Sequence, residues 1–525
     1  PVYGSDKKTR IGDQYTITLS GSGLAKNAKQ IKIQIQPNAI TDTSNNTNKA
    51  TDLLLFNALA NTEAESKINS GFLGSKNSKN TNVSKIERQN IDNVTFMDNI
   101  PSSVYDKSAK AYVDTTAWDV SAQQDKSILA WYTTNANGTL KVYIGSDDEI
   151  FGNYDSGNLF KNIGSHTNCT SSETITNIGL LNVNSVTNMQ YMFRNTGSNA
   201  MTKLDLGNNF DTRNVTNMVY MFASTGRGKM TTLNLGSNFN TSKVTDMHQM
   251  FASTGYSAMT QLDLGDKFDT SGVTNMNSMF EQTGFSAMTS FNLGNKFDTS
   301  NVTSMSSMFK EFGHDQLTSF ELGDKFNTSK VMNMDNMFWR MGENQLKSLD
   351  LKDKFDTSRV TNMNAMFASM GKDKMTTLNL GDKFNTSNVT NMEYMFQYVG
   401  ANLMAELDLG DQFYTANAKN MTSMFYQTGR TAMTSLDLGP AFTKIADTHT
   451  DMFTNTGKDG ALTIYASEQI YLDKNNFKLN TDATTSAINY TRGTINPKYR
   501  TEWIKQASQI TIDSNDLAKS KINIT

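Results

Sequence analysis

The pair Met-Phe closes at Phe193, Phe222, Phe251, Phe280, Phe309, Phe338, Phe367, Phe396 and Phe425, every step 29 residues, and once more at Phe453 after 28. One copy, residues 233–261, reads LNLGSNFNTSKVTDMHQMFASTGYSAMTQ. Ten copies of one unit at this period leave few folds open. So short a unit cannot bury its own apolar face, so successive copies must stack and share one continuous core.

Each copy carries a Leu-x-Leu triplet, from Leu204 and Leu206 to Leu436 and Leu438. Two inward leucines around one outward residue make a short strand, and stacked copies make a parallel sheet along a rod. A second wall comes from the column Phe210, Phe239, Phe268, Phe297, Phe326, Phe355, Phe384, Phe413 and Phe442. Met218, Met221 and Phe222 sit at offsets of three and four, the spacing of a helical turn. Gly226 and its equivalents mark a tight turn before the next strand. The column Asn188, Asn217, Asp246, Asn275, Ser304, Asn333, Asn362, Asn391 and Asn420 reads as an asparagine ladder bonded from copy to copy. Asp211-Thr212, Asp269-Thr270 and Asp356-Thr357 read as Asx turns. The expected fold is therefore a leucine-rich-repeat-like solenoid of parallel short strands plus helical turns. Its axis would be roughly 50 Å long at one strand spacing per copy.

A chain of 525 residues with 37% apolar content is too long for one compact core but suits an elongated one. Residues 1–90 form an N-terminal β-containing segment with a polar excursion. Alternation at Tyr15, Ile17 and Leu19, and at Ile31, Ile33 and Ile35, predicts strands there. Residues 52–59 (DLLLFNAL) predict a short helix with Thr51 as its N-cap. Residues 62–89 are a polar surface excursion. Residues 91–185 carry β-rich runs and the turn pair Asn137-Gly138, and are placed to cap the solenoid. Residues 186–460 are the ten repeats. Residues 461–525 supply a small C-terminal cap and a tail strand at 510–512. Pro1 is no initiator, so the chain reads as a processed or excised piece whose targeting signal lies outside it.

The chemistry-bearing residues are sparse. A net charge of −3, with 19% charged residues, gives no electrostatic basis for a nucleic-acid partner. No apolar run is long enough for membrane insertion, and Cys169 alone allows no internal disulfide. Of 30 methionines all but Met97 lie in the repeats. They exchange with Leu317 and Leu346, which fits packing and not soft-metal ligation. Two acidic columns raise calcium: Asp205, Asn234, Asp263 and onward to Asp437, and Asp266, Asp324, Asp353, Asp382 and Asp411. Interposed Asn and following Lys explain them without a metal, so no cofactor is expected. His166, His248, His314 and His449 share no register with an acid or nucleophile, and no catalytic motif is present, so a non-enzymatic role is expected.

Comparison among the copies points to binding. Variation concentrates just after the tight-turn glycine and just after Met-Phe. The aromatic and charged residues there are Arg227, Tyr256, Phe285, His314, Trp339, Arg340, Tyr398, Tyr426 and Arg430, types that anchor interfaces.

The copies resemble the BspA-like family of bacterial surface leucine-rich-repeat proteins. The resemblance rests on an Asp-Thr-Ser-x-Val-Thr-x-Met-x-x-Met-Phe core, read here as DTRNVTNMVYMF at 211–222 and NTSNVTNMEYMF at 385–396. It spans about half the chain. The region from Trp118 to Trp131, with Tyr143-Ile144-Gly145, looks like the lead-in of such repeats. Ala416-Asn417-Ala418 and Ile445-Ala446-Asp447 depart from the core, as at the end of an array. The resemblance implies an extracellular, cell-surface solenoid used for adhesion to a protein or glycan ligand. A second reading is a structural subunit of an extracellular filament or virion appendage. In it, terminal strands at 15–19, 31–35 and 510–512 join neighbouring subunits and the repeats are exposed decoration.

Overall fold

The computed structural model describes residues 86–466 apart from 123–124, 295, 353–354 and 458–461, and the backbone of the strands Ile31–Ile35, Thr51–Leu55 and Asn489–Arg492. The sequence expectations at residues 15–19, at 62–85 of the polar excursion and at 510–512 lie outside the described residues.

Between residues 86 and 185 the apolar runs form a five-stranded sheet. Its order is Ile175–Thr176, Ile91–Met97, Leu140–Gly145, Leu129–Thr134, Trp118–Asp119. The first three strands are parallel, and Leu129–Thr134 runs antiparallel to both of its neighbours. Asn137-Gly138 turns the hairpin as its composition predicts, with Gly138 at φ +82. Val94, Phe96, Val142 and Ile144 face inward and are fully buried. They belong to the same hydrophobic core that continues through every repeat to Leu462 and Ile464. The sheet therefore covers the first coil and prevents an open apolar cross-section.

In the repeats, triplets pair in parallel with a register of one copy: Leu204 opposite Leu233, Phe291 opposite Phe320, Leu349 opposite Leu378, Leu407 opposite Leu436. The last of these continues to Thr463–Ala466 and Asn489–Arg492. Core aromatics stack in two columns. Met-Phe rings lie 5.2–5.8 Å apart and nearly parallel, from Phe193 on Phe222 to Phe425 on Phe453. The Phe239 column runs at 6.0–6.4 Å. The stack also begins one coil before the 29-residue period does. Phe160 lies on Phe193 at 5.3 Å, and Asp155 bridges to Asn188. The step there is 33 residues, so the period hides it.

Three expectations change. The Met-Phe side has no helical turn. Tyr220 and Ser224 both sit at φ +57, which an α-helix of L-residues does not tolerate. Alternate N–H groups close turns within the copy, as Met221 to Met218 (3.1 Å) and Ala223 to Tyr220 (3.1 Å). Those between reach the next copy, as Phe222 to Met250 (2.9 Å) and Ser224 to Ala252 (2.7 Å). The offset of three therefore reports consecutive β-turns, and stacking replaces the i→i−4 ladder. The asparagine column is also not a side-chain ladder through its length. Its backbones bridge copy to copy, while the Asn and Asp side chains accept from their own copy two residues on, as Asn217 from Val219 N–H at 3.1 Å and Asn420 from Thr422 N–H at 3.0 Å; Ser304 instead donates to Asn277 of the preceding copy. Finally, Thr51–Leu55 is a strand paired antiparallel to Ile31–Ile35. A short apolar run is ambiguous between helix and strand until its partner is known.

Two threonine columns bond from copy to copy through their hydroxyls. Thr241 donates to the Asp269 carbonyl (2.7 Å) and Thr270 to that of Asp298 (2.8 Å). A second column, Thr225, Thr254 and Thr283, donates to the carbonyls of Phe193, Phe222 and Phe251 at 2.7–2.8 Å. The Asx turns at Asp269 and Asp356 form as expected, each accepting an N–H two residues on at 2.9 Å.

Candidate functional site

The variable residues after each tight-turn glycine repeat at the same period as the core, so stacking brings them into one line. Arg227 lies over the Tyr256 ring at 4.6 Å. Tyr256 stacks on Phe285 at 4.6 Å, and Phe285 on His314 at 4.4 Å. His314 continues the line through Nε2 to Glu343 (2.9 Å), beyond which lies the Lys372 ammonium (3.6 Å). Four of the nine residues singled out from sequence thus form one column.

Near-parallel rings on successive copies lie 4.4–4.6 Å apart along the tips, 5.2–5.8 Å in the Met-Phe column and 6.0–6.4 Å in the Phe239 column, so the tips are the most closely stacked aromatic column of the three.

Beside the tips, the position two residues after Met-Phe builds a polar chain. Ser253 donates to Gln282 (2.9 Å), Gln282 to Glu311 (2.7 Å), and Arg340 reaches Glu311 (2.8 Å) and Glu343 (2.6 Å). Trp339 faces Lys310 at 5.0 Å and Arg340 at 5.9 Å. Glu343 is buried, and burial pushes its carboxyl up. Hydrogen bonds from His314 and Arg340 and the charge of Arg340 outweigh this and hold it down at about 2. Burial likewise opposes the His314 charge, but hydrogen bonds to Glu343 and Asp315 prevail and raise it. The imidazole therefore lies between two acids that favour its charged form.

The remaining three candidates follow on: the Lys372 ammonium also lies over the Tyr398 ring at 5.4 Å, Tyr398 and Tyr426 meet edge to face at 5.5 Å, and Arg430 donates to Gln427 at 3.0 Å. Arg227 and Arg430 are exposed, His314 is buried, and the other six are half-buried. Glu311, Glu343, Lys310 and Lys372 escaped the sequence reading, because a glutamate at a variable tip looks like solvent-facing drift until its neighbours are known. Each stands 29 residues from a partner, Glu311 from Arg340, Lys310 from Trp339, and Glu343 from both His314 and Lys372, and that register was the available signal. A second aromatic cluster was missed too: Tyr191 on Tyr220 at 5.0 Å, with Arg194 over both rings. The histidines do not converge. His248 meets Tyr220 Oη at 3.1 Å, and His449 the Ala446 carbonyl at 2.7 Å. Among the described residues no group of three His, Cys, Asp or Glu side chains is arranged to hold a metal. No described helix is long and apolar enough to cross a membrane.

Stacked coils with one shared core define a repeat solenoid. Within that class, the family described as Mycoplasma protein of unknown function, DUF285, matches residues 161–282, 256–343 and 342–458. These matches cover more than half of the chain, and the protein belongs to that family. No curated protein and no solved structure matches it.

Proposed function

We propose that the protein is a non-enzymatic interaction rod displayed outside the cell, which grips a protein partner along its tip edge. One observation carries the reading: the variable residues Arg227, Tyr256, Phe285 and His314 are stacked into a single line flanked by Trp339 and Arg340. Half-buried aromatics beside arginine are the makings of an interface hot spot. The resemblance of the VTNMxxMF core to BspA-like surface proteins supports display and adhesion.

The stacking also favours protein over glycan as ligand. Sugars bind aromatic side chains face on, and both faces of Tyr256 and Phe285 are already covered by neighbours in the column. Ring edges and flanking charges remain, and these suit a polypeptide surface.

The test is capture of the whole chain on arrays of extracellular-matrix proteins and of glycans, with a Tyr256→Ser/Phe285→Ser/Trp339→Ser variant of unchanged circular dichroism as comparison. Protein capture that the variant loses supports the reading. Glycan-only capture, or protein capture indifferent to the variant, refutes it.

A further inference from the structure

Two half-buried cations meet on the Met-Phe side of the first coils without an acid between them. Lys161 and Arg194 follow the stacked rings of Phe160 and Phe193, so they stand in one column on successive coils. The Lys161 ammonium lies over the Tyr191 ring at 5.1 Å. The Arg194 guanidinium lies over Tyr191 at 5.3 Å and over Tyr220 at 5.2 Å. Behind them Arg88 donates to the carbonyls of Asn158 and Lys161. Burial, with the charges of Arg194 and Arg88, holds the Lys161 ammonium below its usual range. Among the described residues the ion pairs involve neither Lys161 nor Arg194. Past Arg194 the column carries only the methyl groups of Ala223 and Ala252. The next charge in it, Glu281, is already bonded to Lys310 at 3.0 Å.

A hydroxyl donor stands beside the cations. Tyr220 Oη meets His248 Nε2 at 3.1 Å, while His248 Nδ1 is buried with no hydrogen-bond partner. Buried N–H groups are left orphaned less often than acceptors, which assigns the hydrogen of the neutral ring to Nε2. His248 then donates to Tyr220, and the Tyr220 hydrogen is left for another acceptor. Burial and the neighbouring Tyr191 raise the Tyr220 phenol above its ordinary value, so it keeps that hydrogen at neutral pH.

Uncompensated like charges attract an anion. We propose that Lys161, Arg194 and the Tyr220 hydroxyl bind a phosphate group, the chemistry shared by a phosphate monoester and the free ion. A phosphate monoester carries a charge of about −1.5 to −2 and three acceptor oxygens, which matches two cations and a hydroxyl donor. The guanidinium has its face towards the rings and keeps its N–H edge for a forked contact. Lys161 adds a point charge, and the bound anion relieves its repulsion from Arg194. The cations already occupy the ring faces, so the ligand is held by charge and hydrogen bonds and not by stacking. No residue of the site belongs to the tip line, so the site stands or falls apart from the interaction-rod reading.

The test titrates the whole chain with phenyl phosphate, inorganic phosphate and benzoate, read by calorimetry. Phosphate should bind with a Kd of about 1 mM or below, and more weakly as salt rises. Arg194→Gln and Lys161→Gln should each weaken it at least tenfold, and Tyr220→Phe at least threefold, with the circular dichroism of the parent. Lys419→Gln, which removes an exposed charge near the far end of the repeats, should bind as the parent does. Should a glutamine variant misfold, Arg194→Lys keeps the charge and loses the fork, and should bind at least threefold more weakly. Tighter binding of phenyl phosphate than of inorganic phosphate points to an ester as the source, and equal or weaker binding to the free ion. No binding of either at about 10 mM, equal binding of benzoate, or binding undiminished in the Arg194 variants would overturn the proposal.

Discussion

Replacing Glu343 by glutamine keeps the shape of the side chain and removes the charge on which the tip edge converges. The carboxylate meets His314 Nε2 at 2.9 Å, Arg340 Nε at 2.6 Å and Lys372 Nζ at 3.6 Å, and only 8% of the residue is exposed. Its carboxyl is held at about 2 where 4.5 is ordinary. At about 1.4 kcal/mol per pH unit, that difference corresponds to about 3 kcal/mol of native-state preference for the charged form. Breaking a buried ion pair from one side costs about 3–5 kcal/mol on general grounds, which agrees. The expected loss for Glu343→Gln at pH 7 is about 3 kcal/mol. It should be local, since solenoid copies interact chiefly with their neighbours. Amide exchange at Arg340, bonded to the Ala368 carbonyl, and at Glu311, bonded to that of Trp339, reads it without requiring a two-state melt. The direction of the pH dependence follows from the two shifts. Glu343 lies below its ordinary value, so its contribution is complete above pH 4.5 and disappears as pH falls towards 2. His314 lies above its ordinary 6.5, so its contribution is complete below pH 6.5 and disappears as pH rises through the folded-state value. The parent should thus be most protected between these limits, and the variant should show a flatter profile. A loss under 1 kcal/mol at pH 7, or a loss that persists undiminished at pH 2, would refute the reasoning.

Other perturbations separate the forces along the rod. Lys352 occupies, at φ +56, a position where other copies carry glycine. Lys352→Gly should raise stability by up to about 1 kcal/mol in urea unfolding, strain relief outweighing the added freedom of the unfolded chain. At Gly226, φ +56, a Cβ would overlap the Met230 side chain. Gly226→Ala should therefore cost more than 1 kcal/mol, beyond the propensity gain an unstrained site would show. Phe309→Ala removes a ring stacked on both sides and should cost about 3–5 kcal/mol. Thr254→Val removes the 2.8 Å donor to the Phe222 carbonyl, which keeps the Thr225 N–H at 2.9 Å, and should cost about 0.5–1.5 kcal/mol in chemical denaturation.

The repeat architecture was legible because its cause is local and repeated. Leu-x-Leu alternation, the two phenylalanine columns and the Asx pair at Asp269-Thr270 each follow from one copy read ten times. The Met-Phe side was misread because helical turns and successive β-turns both return the chain at offsets of three. The difference is a φ of +57 at Tyr220 and Ser224, residues with no strong preference of their own for that region. The coil holding Phe160 was invisible because it is 33 residues from the next. The candidate tips were found by their variability, but not their order. Nothing within one copy says that Phe285 lies against His314, or that Glu343 is the acid that holds it.

The amino-acid sequence by itself determined that this chain stacks, which residues face inward and which positions are free to vary. Those properties depend on side-chain polarity at a fixed period, and each copy carries them alone. Tertiary structure decided what stacking does with the variable positions. It set the tip residues in one stacked line and placed a buried histidine between two acids that favour its charged form. The reason is physical: these outcomes depend on separations of 4–6 Å between residues 29 apart, and on how one copy's hydrogen bonds use up its neighbour's donors. That competition exists only once the copies are in contact.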